Sequence, residues 1–392
     1  MKTTKLLIGA AIVSLVGSTA IATAQQRGVT KTEIIIGTHS DLSGPAASYG
    51  VTSTNAIRMY FDEINEKGGI HGRKIRYIVE DAQYQVPRAV QAANKLIQKD
   101  NVFAIVAAMG TPMNNAVLPD QLKAGVPNLF PVTAARSMSE PFHKLKFGVF
   151  FSLYHEQIRA GVKHLVETKK KDKVCVLYQE TDFGKEILEG VQDLAKTMKF
   201  KIVETATNRP TDTDFSAQIT KLRAAGCEIV AMGVIVRDAI IPYGTARKMG
   251  WTDVDFVATS ASFDQIVAGA PGNATEGLYV ASGFVMPYRD TASPQVQKWW
   301  DGYKAKYNAD PNIGAFYGQV MADVFVRAMQ AAGPNLTTDS LVKALETAKP
   351  FKSLFGGPEI AYGPNVRQGS KVVMLHQIKG GRFALIDGNI KY

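Results

Sequence analysis

Three short segments hold the residues best placed to do chemistry: Asp41-Leu42-Ser43-Gly44-Pro45, Gly110-Thr111-Pro112 and Val132-Thr133-Ala134-Ala135. Each sets small or hydroxylated residues where an apolar run gives way to a helical pattern. The first turn of a helix has backbone N–H groups without partners and sits at the positive end of the helix dipole, so such turns suit an anionic group such as a carboxylate. Ser, Thr and Gly are also ordinary cap and loop residues; recurrence in one half of the chain is what marks these turns. Catalytic patterns are missing: there is no HExxH, CxxC pair, GxGxxG after a strand, Walker A sequence or G-x-S-x-G. His39, His71, His143, His155, His164 and His376 stand in separate contexts without ligand spacing. Asp41 has no base or nucleophile beside it. No metal or other cofactor is expected, and binding is favoured over catalysis.

The elements that must position these turns alternate regularly. Strands are expected over 33–37, 74–79, 103–107 and 126–130, with helices over 46–67, 87–98 and 112–123 between them. The first helix stops at Gly68-Gly69, a C-terminal cap signal, and the second has Pro87 in its first turn. The rhythm restarts near Gln157, with helices over 157–168, 184–196, 214–225 and 239–249 leading to strands over 173–178, 201–204, 229–232 and 255–258. This βαβα order predicts an α/β fold of two lobes, each a mainly parallel sheet flanked by helices. Beyond it come an extended segment (277–284), helices over 294–307, 315–332 and 341–348, and a strand-rich, turn-rich tail (357–392). Ligands of open parallel sheets bind outside the C-terminal strand ends, where the marked turns fall.

Residues 1–24 read as a cleaved secretory signal: Lys2 and Lys5, then the apolar run Leu6–Val16, then Ala22-Thr23-Ala24. Removing 24 of 392 residues leaves 368, too many for one ordinary core. The net charge of +10 is dispersed. The run Lys169-Lys170-Lys171 meets Asp172 at once and reads as a solvated helix end, so no nucleic-acid partner is expected. Cys175 and Cys227 each sit at an apolar run, and buried free thiols are expected rather than a disulfide.

The segments DLSGPAASYG, FDEINEKGGIHGRKI, EDAQYQVPRAVQAANKLI, VAAMGTP, GVPNLFPVTAA, VCVLYQETDFGKE and TDTDFSAQITKLRAAGCEIV, in that order, resemble the Leu/Ile/Val-binding family of periplasmic substrate-binding proteins of ABC transporters. The likeness runs over essentially the whole chain after residue 24. It implies a type I periplasmic binding protein fold with three hinge crossings, near Gly148, Tyr279 and Phe355. Lobe 1 would then be 30–148 plus 280–354, and lobe 2 149–279 plus 355–392. It also implies a periplasmic location, a monomer, and the permease subunits of an ABC transporter as partner.

By the same resemblance, Gly110-Thr111 and Val132-Thr133-Ala134 match the turns that bind a ligand carboxylate. Tyr49 and Phe183 match aromatic walls from opposite lobes, and Tyr154 and Ile235 match further second-lobe positions. Two departures bear on the ligand. Ala134 stands where amino-acid binders have a threonine, with Thr133 beside it. Near Ser260, where they have a carboxylate for the ligand ammonium, there is no acid, and only Asp264 or Glu180 could replace it. A buried ammonium without a counter-charge is costly. The expected ligand is therefore a small carboxylate, an aromatic acid or branched keto acid ahead of a branched-chain amino acid, with an amide third. Arg136, two residues past the second turn, could pair with that carboxylate or with Glu140 at the surface. A transport receptor is expected ahead of a ligand sensor, and both ahead of a hydrolase.

Overall fold

The structure, a computed structural model, describes residues 26–392; the expected signal segment, 1–24, lies outside the described residues. The first sheet comprises β1 (Glu33–Ser40), β2 (Lys74–Asp81), β3 (Ala104–Val106), β4 (Asn128–Leu129) and β5 (Lys146–Phe147), all parallel, in the order β2-β1-β3-β4-β5. Its connecting helices are α1 (Ala47–Glu66), α2 (Val86–Asn94) and α3 (Thr111–Lys123). Helix α1 ends where Gly68 and Gly69 take positive φ, as the paired glycines predict.

The second lobe opens with α4 (Tyr154–Lys169) and alternates β6 (Lys173–Gln179), α5 (Asp182–Ala195), β7 (Lys201–Asn208), α6 (Ser216–Ala224), β8 (Ile229–Gly233), α7 (Val236–Lys248), β9 (Asp255–Ala258), α8 (Gln265–Ala268) and β10 (Tyr279–Ser282). Every residue of β8 is buried, which is why that strand reads as an unbroken apolar run: helices cover both faces of a parallel sheet.

The chain then returns to the first lobe as α9 (Pro294–Tyr307), α10 (Ile313–Ala331) and α11 (Thr338–Thr347). Helix α10 lies against α1 because it presents glycine there. A Cβ on Gly318 would come within 2.3 Å of the Ser53 carbonyl oxygen, and one on Gly314 within 2.4 Å of the Thr52 hydroxyl. A hairpin of β11 (Phe351–Ser353) and β12 (Gly356–Ile360) follows. The chain ends in β13 (Val373–Lys379) and β14 (Arg382–Ile390), antiparallel additions that complete the second sheet in the order β14-β13-β10-β9-β8-β6-β7.

Two of the expected crossings move along the chain. Strand β10 belongs wholly to the second sheet, so the second passage follows Ser282 rather than Tyr279. Phe355 packs against the rings of Trp299 and Phe316, Tyr362 packs on Phe130 and Phe147, and Arg367 donates to the carbonyls of His143 and Gly363. Residues 355–367 are thus held on the first lobe by aromatic packing that a strand-rich tail does not reveal. The passages run side by side: Gly148 N–H donates to the Arg367 carbonyl and Gly369 N–H to that of Val149, at 2.7 and 3.0 Å.

The cysteine expectation is corrected. Cys175 and Cys227 are both buried, but they form a disulfide, with Cα atoms 5.8 Å apart. Cys175 lies on β6 and Cys227 just before the adjacent β8, a neighbour relation that exists only once the sheet has formed.

Candidate functional site

Ten of the eleven residues singled out from the sequence line one cavity between the lobes: Tyr49, Gly110, Thr111, Val132, Thr133, Ala134, Tyr154, Phe183, Ile235 and Ser260. About 610 Å³ there is free of protein atoms, part of it continuous with solvent. The eleventh, Arg136, is not among the lining residues. Its guanidinium pairs with Glu189 across the cleft at 3.0 Å rather than with Glu140, and its backbone N–H donates to the Glu186 carboxylate.

The carboxylate-binding candidates come from adjacent strand ends of the first lobe. Thr111 is the first residue of α3 and Gly110 its N-cap, with φ +88°. A side chain on Gly110 would be strained there, and its Cβ would meet the Met113 methyl at 2.1 Å. Pro112 removes one N–H from the first turn, which leaves the hydroxyl of Thr111 prominent. The Thr111 and Thr133 hydroxyls lie 2.7 Å apart, both buried, and Ala135 N–H donates to the Thr133 oxygen at 3.2 Å. When Thr133 donates to Thr111, the Thr111 hydroxyl proton remains for a ligand. Burial pushes the Tyr154 phenol up to about 12, opposed by hydrogen bonds from the Ala134 backbone and Thr133, so it stays a neutral donor beside the same turn.

Field and walls complete the site. Residues in the first turns of α1, α3, α4, α5 and α7 all line the cavity, so five positive helix ends converge on it. Tyr154 and Phe183 pack edge to face with centroids 4.8 Å apart; Phe151 and Tyr317 form a second aromatic pair at 5.0 Å. No Asp, Glu, Lys, Arg or His is among the lining residues. Asp264 is buried outside the lining, where its carboxylate caps Ile266 N–H at 2.9 Å and accepts from Asn312 at 3.1 Å; burial pushes it up to about 6. Glu180 bonds the Thr207 hydroxyl and faces Arg209. Neither acid supplies a counter-charge in the cavity.

The lobes are closed on one another. Tyr49 donates its hydroxyl to the carbonyls of Ser260 and Phe263 at 2.9 and 3.1 Å, and Ile313 N–H donates to the Gln265 side chain at 2.9 Å. Tyr49 thus bridges the cleft as well as walling the cavity. Sequence reading missed Tyr84, Met109, Phe151 and Tyr317, which also line the space. Tyr317 lies mid-helix in an apolar stretch that reads as core. Tyr84 sits in the segment EDAQYQVPRAVQAANKLI, just ahead of a helix with proline in its first turn, and only that loop position hinted at exposure.

Two α/β lobes joined by three adjacent passages, with a cavity between them at the strand ends, define a two-lobed solute-binding protein. A family model described as periplasmic binding protein matches residues 33–382, and the chain belongs to that family. As a member of that family it is a binding protein rather than an enzyme. A leucine-, isoleucine-, valine-, threonine- and alanine-binding protein of Pseudomonas aeruginosa is 25% identical over 280 residues, covering 69% of this chain and 70% of that protein. Among solved structures, a branched-chain amino acid ABC transporter protein from Thermus thermophilus with bound valine superposes with a TM-score of 0.84 at 18% identity, covering 93% and 98% of the two chains. A solute-binding protein of R. palustris in complex with benzoate superposes at 0.78 with 16% identity, covering 92% and 97%. Among the described residues, no helix is long and apolar enough to cross a membrane.

Proposed function

We propose that the chain captures a small carboxylate without an ammonium group, an aromatic acid or a branched keto acid, between its lobes and delivers it to the permease of an ABC importer. The observation that carries this reading is the composition of the cavity: hydroxyls and helix N-termini converge where no charged side chain stands. Such a site stabilises one negative charge through N–H and O–H donors. It offers an ammonium hydroxyl oxygens and aromatic faces but no counter-charge, and stripping water from an ammonium without one costs several kcal/mol. The family includes relatives named for branched-chain amino acids and a neighbour holding benzoate, so both ligand classes are compatible with the fold.

The chain is proposed to act as an exported monomer, released by cleavage after Ala24; its disulfide suits an oxidising compartment. Ligand docks on the threonine turns of the first lobe, and the second-lobe aromatics close over it.

A thermal-shift screen of the purified protein tests the reading. Benzoate-type and 2-oxo acids should raise the melting temperature by mass action; a rise with leucine or valine and none with the acids would refute it. Thr111→Ala should then weaken binding of the active acid by about tenfold or more, as a charge-assisted hydrogen bond is lost. Arg136→Ala, at the surface ion pair with Glu189, should leave affinity within about twofold.

A further inference from the structure

We infer that Tyr84 is a specificity-determining residue of the cavity, its hydroxyl placed to donate to an oxygen carried next to the ligand's carboxylate. The inference rests on the carboxylate reading and narrows it to acids with such an acceptor, 2-oxo acids foremost.

Tyr84 lines the cavity, and its place there is built at a cost to the backbone. Gln83 and Tyr84 both take left-handed conformations, with φ +52° and +54°. Side chains other than glycine rarely adopt that region, and two in succession persist only when the surroundings impose them. Asp81, the last residue of β2, imposes them. One carboxylate oxygen accepts the N–H groups of Leu42 and Gln83, each at 3.0 Å, and the other accepts the Ser43 hydroxyl at 2.7 Å. Ala82 N–H is held by the Ser40 carbonyl, and Gln85 N–H by that of Ala82. The loop is fixed from both ends, and the Tyr84 side chain points where the loop sends it.

That direction is onto the carboxylate turn. A Cβ on Gly110 would lie 3.3 Å from Cε2 of the Tyr84 ring, so the ring covers the residue that caps α3. An acid seated on Thr111 and Thr133 brings the atom next to its carboxylate beneath this ring. The Tyr84 hydroxyl makes no hydrogen bond to any described residue, whereas Tyr49 spends its own on two carbonyls across the cleft. Burial holds the Tyr84 phenol well above its ordinary range, reinforced by Tyr154, Asp41 and Asp238, so it remains protonated and available as a donor. A clamped loop that delivers an uncommitted donor to the binding turn is accounted for by ligand selection.

The test is calorimetric titration of the full mature chain and its Tyr84→Phe variant with two ligand pairs that differ only in the oxygen next to the carboxylate: phenylpyruvate against 3-phenylpropionate, and 4-methyl-2-oxopentanoate against 4-methylpentanoate. The wild type should prefer the 2-oxo member of at least one pair by about tenfold, the worth of one hydrogen bond to a ligand oxygen. Tyr84→Phe keeps the ring and should collapse that ratio to within about threefold, mainly by weakening the 2-oxo acid. Equal ratios in both proteins, or no preference in the wild type, would overturn the inference while leaving the carboxylate reading in place. Binding of leucine with none of the four acids would remove the carboxylate reading, and the inference with it. A thermal unfolding midpoint of the variant matching the wild type confirms that ring and loop are intact.

Discussion

Between pH 7 and pH 4 the ligand-free chain is expected to lose roughly 3 kcal/mol of stability, and two buried histidines set the loss. Burial lowers both His39 and His376 from 6.5 to about 4, opposed at His376 by the Val280 backbone; neither ring nitrogen of His39 has a partner among the described residues. The unfolded chain binds these protons near 6.5, the folded chain only near 4. Unfolding therefore takes up protons across that window, and stability falls as the pH drops. Each shift corresponds to about 3 kcal/mol. Asp264 acts in the opposite sense. Burial raises it from 3.8 to about 6, so the folded chain binds its proton first, and about 3 kcal/mol of stability returns as the pH falls through 6 toward 3.8. Burial also raises Asp238, opposed by Arg237 and Asn208, and the two histidines outweigh the acids to leave a net loss. His376→Phe should flatten the profile by about half of the histidine effect, its ring lying 4.6 Å from that of Phe263 in an aromatic setting. Denaturant titrations at pH 7, 5.5 and 4.5 measure this; a wild-type midpoint that does not fall with pH would contradict it.

Loss of the Cys175–Cys227 bridge is expected to have a similar cost. It links residues 52 apart in sequence, and closing a loop of that length in the unfolded chain is worth about 4 kcal/mol. In a chain of this size that corresponds to a fall in melting temperature on the order of 5 °C. Scanning calorimetry with and without reductant reads the change, and Cys175→Ala/Cys227→Ala should match the reduced protein and ignore reductant. Two free thiols in the purified, denatured, unreduced protein would show that the bridge does not form.

Much of the site was legible because its parts are local. The Gly68-Gly69 stop, the alternation of strands and helices, and the Gly110-Thr111 and Val132-Thr133-Ala134 turns each announce themselves within a few residues, and the fold brings the turns together simply by setting β3 beside β4. What escaped depends on contacts between distant segments. The bridge requires β6 to lie beside β8. The third passage is fixed by Tyr362 and Arg367 packing on residues more than 200 positions earlier. Arg136 faced a choice between ligand, Glu140 and solvent that only the approach of α5 decides, in favour of Glu189. Tyr84 gave no periodic signal, since its orientation comes from the Asp81 clamp and a backbone conformation no propensity anticipates. The missing acid near Ser260 was visible as a departure from a resemblance. That neither Asp264 nor Glu180 replaces it is a matter of where their carboxylates point.

The most direct measurement sets leucine against 4-methyl-2-oxopentanoate, two molecules of the same skeleton that differ in carrying an ammonium or a keto oxygen. Calorimetric titration of the purified, ligand-free protein near pH 7 should find the keto acid bound at least about 100-fold more tightly, the minimum set by desolvating an ammonium in a cavity without an acid. Leucine bound as tightly as the keto acid, or more so, would contradict the account: it would mean that an acid reaches the ligand from outside the lining described here.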